Sequence, residues 1–197
     1  SPSRAELDIT NPESARSYIM REQPQCVLLS AAYTRVDDCE SHADLAWSVN
    51  ADGPRNVALA CRSAGARLIY VSTDYVFNGR KNSPYSVDDP TDPISVYGKT
   101  KLAGEKHIQE IMQEYLIVRT SWLYGLNGRN FVEVILKKAE TEKELRVVND
   151  QRGSPTYTRD LAEALAVLAN IKDVRGIVNV TNSQDCDDQD ATAFPDG

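Results

Sequence analysis

Two short runs in this chain hold residue types that could do chemistry. Ser72-Thr73-Asp74 places two hydroxyls and a carboxyl directly after an apolar, β-branched run at 67–72. The carboxyl ends of parallel strands are where open α/β sheets take their ligands. Tyr97 and Lys101 stand four residues apart at the start of a helical stretch, a spacing that puts both side chains on one face. A phenol, with a reference pKa near ~10, is a weak acid–base group at neutral pH. A neighbouring ammonium favours the phenolate and brings it nearer the working range. Spacing alone is thin support: nine tyrosines and eight lysines in 197 residues give about 0.4 such pairs by chance. The hydroxyl of Thr73 at a strand end lifts the pair above a half-buried tyrosine beside an exposed lysine.

Elements must hold these groups together, and the pattern supplies them. Thr10 with Glu13 three residues on, and Pro12 between them, reads as a capping box opening a helix to about residue 22. Residues 26–32 (CVLLSAA) read as a strand buried on both faces, followed by a polar segment at 34–40. A helical stretch is expected over 42–64, interrupted near Gly53-Pro54 and closed by Gly65. Further strands are expected at 67–72, 116–120, 145–148 and 176–180. Helices are expected at 95–114, 130–141 and 158–171, and a Pro-rich polar loop at 78–93. Strands alternating with helices of this length make βαβ units, so the fold class is α/β with a Rossmann-like parallel sheet and helices on both faces.

The chain has 22 Lys+Arg against 29 Asp+Glu, a formal net charge of −7, and lacks the basic surface that a phosphate backbone demands. Nucleic acid is therefore not the expected partner. Apolar runs fall short of the ~18 to 20 residues of a membrane span, and the first ten residues have no signal-peptide core, so a cytoplasmic location without membrane association is expected. The four cysteines show no CxxC spacing and the histidines are only His42 and His107, which disfavours a zinc cluster and suits reduced thiols. The acidic end, residues 183–197, lacks the ligand spacing, turn glycine and late glutamate of a calcium loop and is expected to be disordered.

Set end to end, the motif runs resemble the extended short-chain dehydrogenase/reductase family, and within it the dTDP-4-dehydrorhamnose reductases. The carrying residues are LDI at 7–9, SAAYT at 30–34 with Val36 and Asp37, YVSTDYVF at 70–77, VYGKTKLAGE at 96–105, RTSWLY at 119–124 and NDQRGSPT at 149–156. The match runs in unbroken order from about residue 7 to residue 182. STDYVF followed by YGKTKLAGE is far more specific than a lone YxxxK.

The resemblance implies reduction of the 4-keto group of dTDP-4-dehydro-6-deoxy-L-mannose to dTDP-L-rhamnose by NADPH or NADH. It makes Tyr97 the acid that protonates the keto oxygen, Lys101 the group that lowers its pKa and holds the nicotinamide ribose, and Thr73 a hydrogen-bond donor to the same oxygen. Asp8, Ala31, Ala32 and Tyr33 would line the cofactor with Tyr97 and Lys101. Asp74, Trp122 and Arg152 would meet the dTDP-sugar with Thr73, an aromatic face and a guanidinium suiting thymine and diphosphate. Trp122 could equally close the third strand as a core residue, and Arg152 could be a surface charge. Asn50 reads as structural. Mg2+ use and a homodimer are both allowed by the resemblance.

The ten glycines form no GxGxxG or GxxGxxG, the turn that seats a pyrophosphate on a helix N-terminus. The family's first βαβ unit is expected ahead of Ser1. Residues 1–150 then correspond to a partial NAD(P)-binding domain and 151–182 to part of a substrate-binding region. Two rival functions share these residues: an epimerase or dehydratase of the same superfamily, and a non-catalytic subunit like the beta subunit of methionine adenosyltransferase.

Overall fold

The computed structural model describes residues 1–126, 130–147 and 153–182. These fall into two compact units, one formed by Ser1–Thr120 with Val167–Asn179, the other by the described parts of 121–166 and 180–182. In the first, helix α1 (Pro12–Glu22) leads to strand β1 (Cys26–Leu29). Two short helices follow, α2 (Val36–Ser41) and α3 (Ala43–Trp47), then a π-helical turn at Ser48–Asp52 that runs straight into α4 (Gly53–Ala64). Strand β2 (Arg67–Thr73), helix α5 (Val96–Ile111) and strand β3 (Tyr115–Thr120) complete the series. In the second unit, β4 (Leu123–Tyr124) precedes α6 (Phe131–Ala139) and β5 (Thr156–Tyr157). Helix α7 (Thr158–Asn170) carries the chain back to β6 (Gly176–Asn179) in the first.

The main sheet is parallel throughout, in the order β1-β2-β3-β6. With helices on both sides it is the expected α/β, Rossmann-like architecture. Its inner strands are the β-branched runs of the sequence: Leu68, Ile69 and Tyr70 of β2 and Leu116, Ile117 and Val118 of β3 are fully buried. Helix α1 packs on α4 and α4 on α5. Ile19, Val57, Ala58 and Ile108 join Leu68 and Ile117 in one apolar core.

Several expectations change in detail. The cap of α1 is Asn11, whose Oδ1 accepts from the N–H groups of Glu13 and Ser14, while Thr10 turns back to Asp8. The first strand stops at Leu29 and is not buried on both faces, because it is the edge strand of this sheet and Leu28 is 51% exposed. Part of the polar segment at 34–40 is helical. Gly53-Pro54 does not break the helix: proline lies in the first turn of α4, where its missing N–H costs nothing. Residues 145–147 form no strand, since this short apolar run finds no pairing partner among the described residues. Residue 148 lies outside them.

Candidate active site

The carboxyl end of β2 and the first turns of α5 meet because two glycines let them. A Cβ at Gly98 would lie 2.2 Å from the Tyr75 carbonyl oxygen, and one at Gly104 would lie 2.5 Å from that of Asn50. No real side chain tolerates either. Ser95 starts α5 by accepting the Gly98 N–H on its Oγ at 3.1 Å. The helix therefore seats one turn against 74–76 and another against the π turn, and Tyr97, the residue before the first seat, packs against Tyr75.

Tyr97 is only 9% exposed and meets Tyr75 edge-on, ring centres 5.6 Å apart. Burial pushes its phenol up to about 12, against which the Thr73 hydroxyl acts to lower it and the Asp74 carboxylate to raise it. Thr73 Oγ1 accepts from the Tyr75 N–H at 3.2 Å and lies 3.1 Å from Asp74 Oδ1, to which it donates. Asp74 is itself raised by burial. The structure thus brings Thr73, Asp74 and Tyr97 together.

Lys101 lies one turn further along α5, 2% exposed, with Nζ donating to the Val71 carbonyl at 2.8 Å and standing 4.0 Å above the Tyr70 ring. Burial lowers it to about 7, with Glu105 acting in the opposite direction. The expected lowering of Tyr97 by Lys101 is not what this arrangement displays. Burial dominates both groups, and the neighbour that lowers the phenol is Thr73.

At the end of β1, Ala31 is exposed and Ala32 and Tyr33 are half-buried. Asn50 clamps this turn through both of its amide atoms: Oδ1 accepts from the Tyr33 N–H at 2.8 Å, and Nδ2 donates to the Tyr33 carbonyl at 3.0 Å and to Thr100 Oγ1 at 3.3 Å. The π turn is what aims Asn50 this way, a displaced helical register of the kind that collects at functional sites. Small side chains at a rigid strand end fit a flat cofactor lying against the backbone. Asp8 Oδ1 is taken by the N–H and hydroxyl of Thr10, and Oδ2 is 3.7 Å from Arg4. No group of three or more His, Cys, Asp or Glu among the described residues could hold a metal ion. Cys26, Cys39 and Cys61 are free thiols.

Beneath this cluster lies a charged group that the motif reading left unassigned. Glu105, 1% exposed, accepts from Ser72 Oγ at 2.5 Å and receives both Nε and Nη2 of Arg119 at 3.0 and 2.7 Å. The sequence signal was present: Tyr97, Lys101 and Glu105 are four and four apart on one helix. Asn50 carried no such signal, because a polar residue in a helical run looks the same whether or not the run holds a π turn.

In the second unit, Trp122 takes a left-handed backbone (φ 47°) and is 36% exposed. The segment from Gly153 wraps it: a Cβ at Gly153 would come within 2.7 Å of the indole, Thr156 N–H donates to the Trp122 carbonyl at 3.2 Å, and Ser121 Oγ donates to the Ser154 carbonyl at 2.8 Å. Arg152 lies outside the described residues, as do 183–197.

Residues 1–192 match the model of the RmlD substrate binding domain. The chain belongs to that family. Among RmlD-family relatives it is 48% identical over 180 residues to the spore coat polysaccharide biosynthesis protein SpsK of Bacillus subtilis, covering 91% of this chain and 63% of that protein. It is 48% identical over 166 residues to the dTDP-4-dehydrorhamnose reductase of Streptomyces griseus, covering 84% and 55%. A solved RmlD-family structure, the dTDP-4-dehydrorhamnose reductase of Bacillus anthracis in complex with NADP, superposes with a TM-score of 0.89 at 41% identity, over 92% of this chain and 64% of that one. The chain therefore spans roughly three-fifths of the length of the relatives it matches.

Proposed function

We propose that this protein takes part in the NADPH- or NADH-dependent reduction of the 4-keto group of dTDP-4-dehydro-6-deoxy-L-mannose, giving dTDP-L-rhamnose. The support for this reading is the buried Thr73–Tyr97 pair where β2 meets α5, with Lys101 buried one turn further along the helix, in a chain 48% identical to a reductase of that name. A nicotinamide held here would supply hydride to C4 of the sugar. Tyr97, held protonated at neutral pH by burial, then donates its proton to the O4 that has gained charge. Thr73 donates a hydrogen bond to the same oxygen, stabilising it as charge develops. Lys101, whose proton is labile near pH 7, helps restore the proton to Tyr97 and holds the nicotinamide ribose. Ala31, Ala32 and Tyr33 line the nicotinamide side and Asp8 the adenosine side. Asp74, Trp122 and Arg152 meet the nucleotide sugar. In this reading 1–150 correspond to a partial NAD(P)-binding domain that also carries Thr73, Asp74 and Trp122, and 151–182 to part of a substrate-binding region.

The test is the loss of 340 nm absorbance when the protein meets NADPH and the keto sugar nucleotide. Tyr97→Phe is expected to lower kcat at least 100-fold while NADPH binding, followed by fluorescence, persists. Full activity in Tyr97→Phe would overturn the assignment, and turnover without net NADPH consumption would point to an epimerase or dehydratase.

A further inference from the structure

Beyond residue 70, strand β2 runs on without β1 beside it: the pairing of β1 with β2 ends at Leu29 and Tyr70, whereas β3 follows β2 as far as Thr73 and Thr120. The last three residues, Val71, Ser72 and Thr73, are thus held by a sheet on one side only. Helix α5 makes up the difference with two side chains one turn apart. Lys101 donates to the Val71 carbonyl, and Glu105 accepts from the Ser72 hydroxyl at 2.5 Å. Arg119, in register with Ser72 on β3, donates to both oxygens of the same carboxylate, sharing Oε1 with Ser72. It lies 5.1 Å over the Phe77 ring, just past the turn that follows Thr73.

We propose that Glu105 is a positioning residue for the reaction proposed above: by joining Ser72 of β2, Arg119 of β3 and its own helix α5, it fixes the strand end so that Thr73 stands against Tyr97. The inference rests on that reaction for its kinetic arm only. All members of the cluster are buried, Ser72 at 4%, Lys101 at 2%, Glu105 at 1% and Arg119 at 4% exposure. With Lys101 charged, the cluster holds two cations against one carboxylate. Glu105 alone is placed to offset both, so removing its charge should be felt at Lys101 as well as at Ser72. The other ionisable group against Lys101 is Tyr70, whose ring lies 4.0 Å below the ammonium, and Glu105 is the carboxylate that acts on it.

A residue that merely packs would leave the ionisation of Lys101 alone, and this separates the two roles without any activity. In the ligand-free protein carrying 13Cε-lysine, the Lys101 resonance is identified by its loss in Lys101→Arg and titrated in wild type and in Glu105→Gln. The expected result is a midpoint lowered by about one pH unit or more in Glu105→Gln. An unmoved midpoint in folded Glu105→Gln overturns the proposal. Should Glu105→Gln fail to fold, Ser72→Ala decides, since it leaves the Glu105–Arg119 pair intact and cuts only the tie to β2. Ser72→Ala is expected to lower kcat about tenfold or more at nearly unchanged KM for the sugar nucleotide, with the fold retained and the melting midpoint lowered by several degrees. Wild-type kcat in folded Ser72→Ala overturns the positioning role. Loss of activity in Tyr97→Phe, measured beside it, shows whether the underlying reaction holds.

Discussion

Replacing Lys101 by Met is expected to abolish activity at little net cost in stability at neutral pH, and its stability relative to wild type should fall as the pH rises. Burial lowers this lysine from the 10.5 of an open side chain to about 7. Between those values the unfolded chain holds a proton that the folded chain has released, so folding stability rises with pH across that window. Below about 7 both states are protonated and the full cost of burying the charge applies. At ~1.36 kcal/mol per decade, that cost is about 4 kcal/mol at pH 7. Methionine removes it, but leaves the Val71 carbonyl without its donor, at ~1 to 3 kcal/mol, and loses the contact with the Tyr70 ring, at ~0.5 to 2 kcal/mol. Lys101→Met is therefore expected to lie between about 1 kcal/mol less stable and about 2.5 kcal/mol more stable than wild type at pH 7. The slope is the sharper quantity. Urea unfolding of both ligand-free proteins at pH 7, 8 and 9 should show the difference shrinking in favour of wild type by about 2 kcal/mol, because every other titrating group is common to the two. A difference that stays constant over that range would mean Lys101 is not buried as a displaced base, and the reasoning fails.

Two further outcomes test how the site is held. Gly104→Ala drives a methyl toward the Asn50 carbonyl at 2.5 Å and the Tyr70 hydroxyl at 2.9 Å, and should cost ~1 to 3 kcal/mol, or roughly 2 to 12 °C in Tm for a chain of this size. Unaltered thermal unfolding would show that α5 does not need its close seat on the π turn. Asn11→Ala should cost about 1 kcal/mol as a lost helix cap and Thr10→Ala clearly less, by denaturant midpoint; the reverse order would return the cap to Thr10.

What could be read before the structure was whatever depends on residues near one another in the chain. The strands read at 67–72 and 116–120, the helix read from about residue 95, and the Tyr97–Lys101 face all follow from local periodicity and turn chemistry. The cap of α1 was misplaced by one residue because Thr10 and Asn11 are both good caps, and the choice is made by Asp8, which captures the Thr10 hydroxyl. The extent of β1 was overread because an apolar run carries no mark of where its neighbour strand ends. The Asn50 clamp and the Glu105–Arg119 pair span 17 and 14 residues. Such contacts exist only once β2, β3 and α5 have been laid side by side.

The same placement explains why these groups are worth their cost. A buried lysine, a buried carboxylate–guanidinium pair and a phenol raised by burial are each poor choices for stability alone, since well-packed apolar residues would serve as well or better. Their grouping under one strand end is what gives them a use. In the reaction proposed above, Tyr97 would keep its proton until an oxygen beside it gains charge, and Lys101, lowered by burial to about 7, would respond to that same change. Neither response is available to residues in water, where both groups would keep their ordinary ionisation. The destabilisation expected to be relieved in Lys101→Met is thus the energetic signature of the site, and a variant gaining stability while losing turnover would locate that strain on a single side chain.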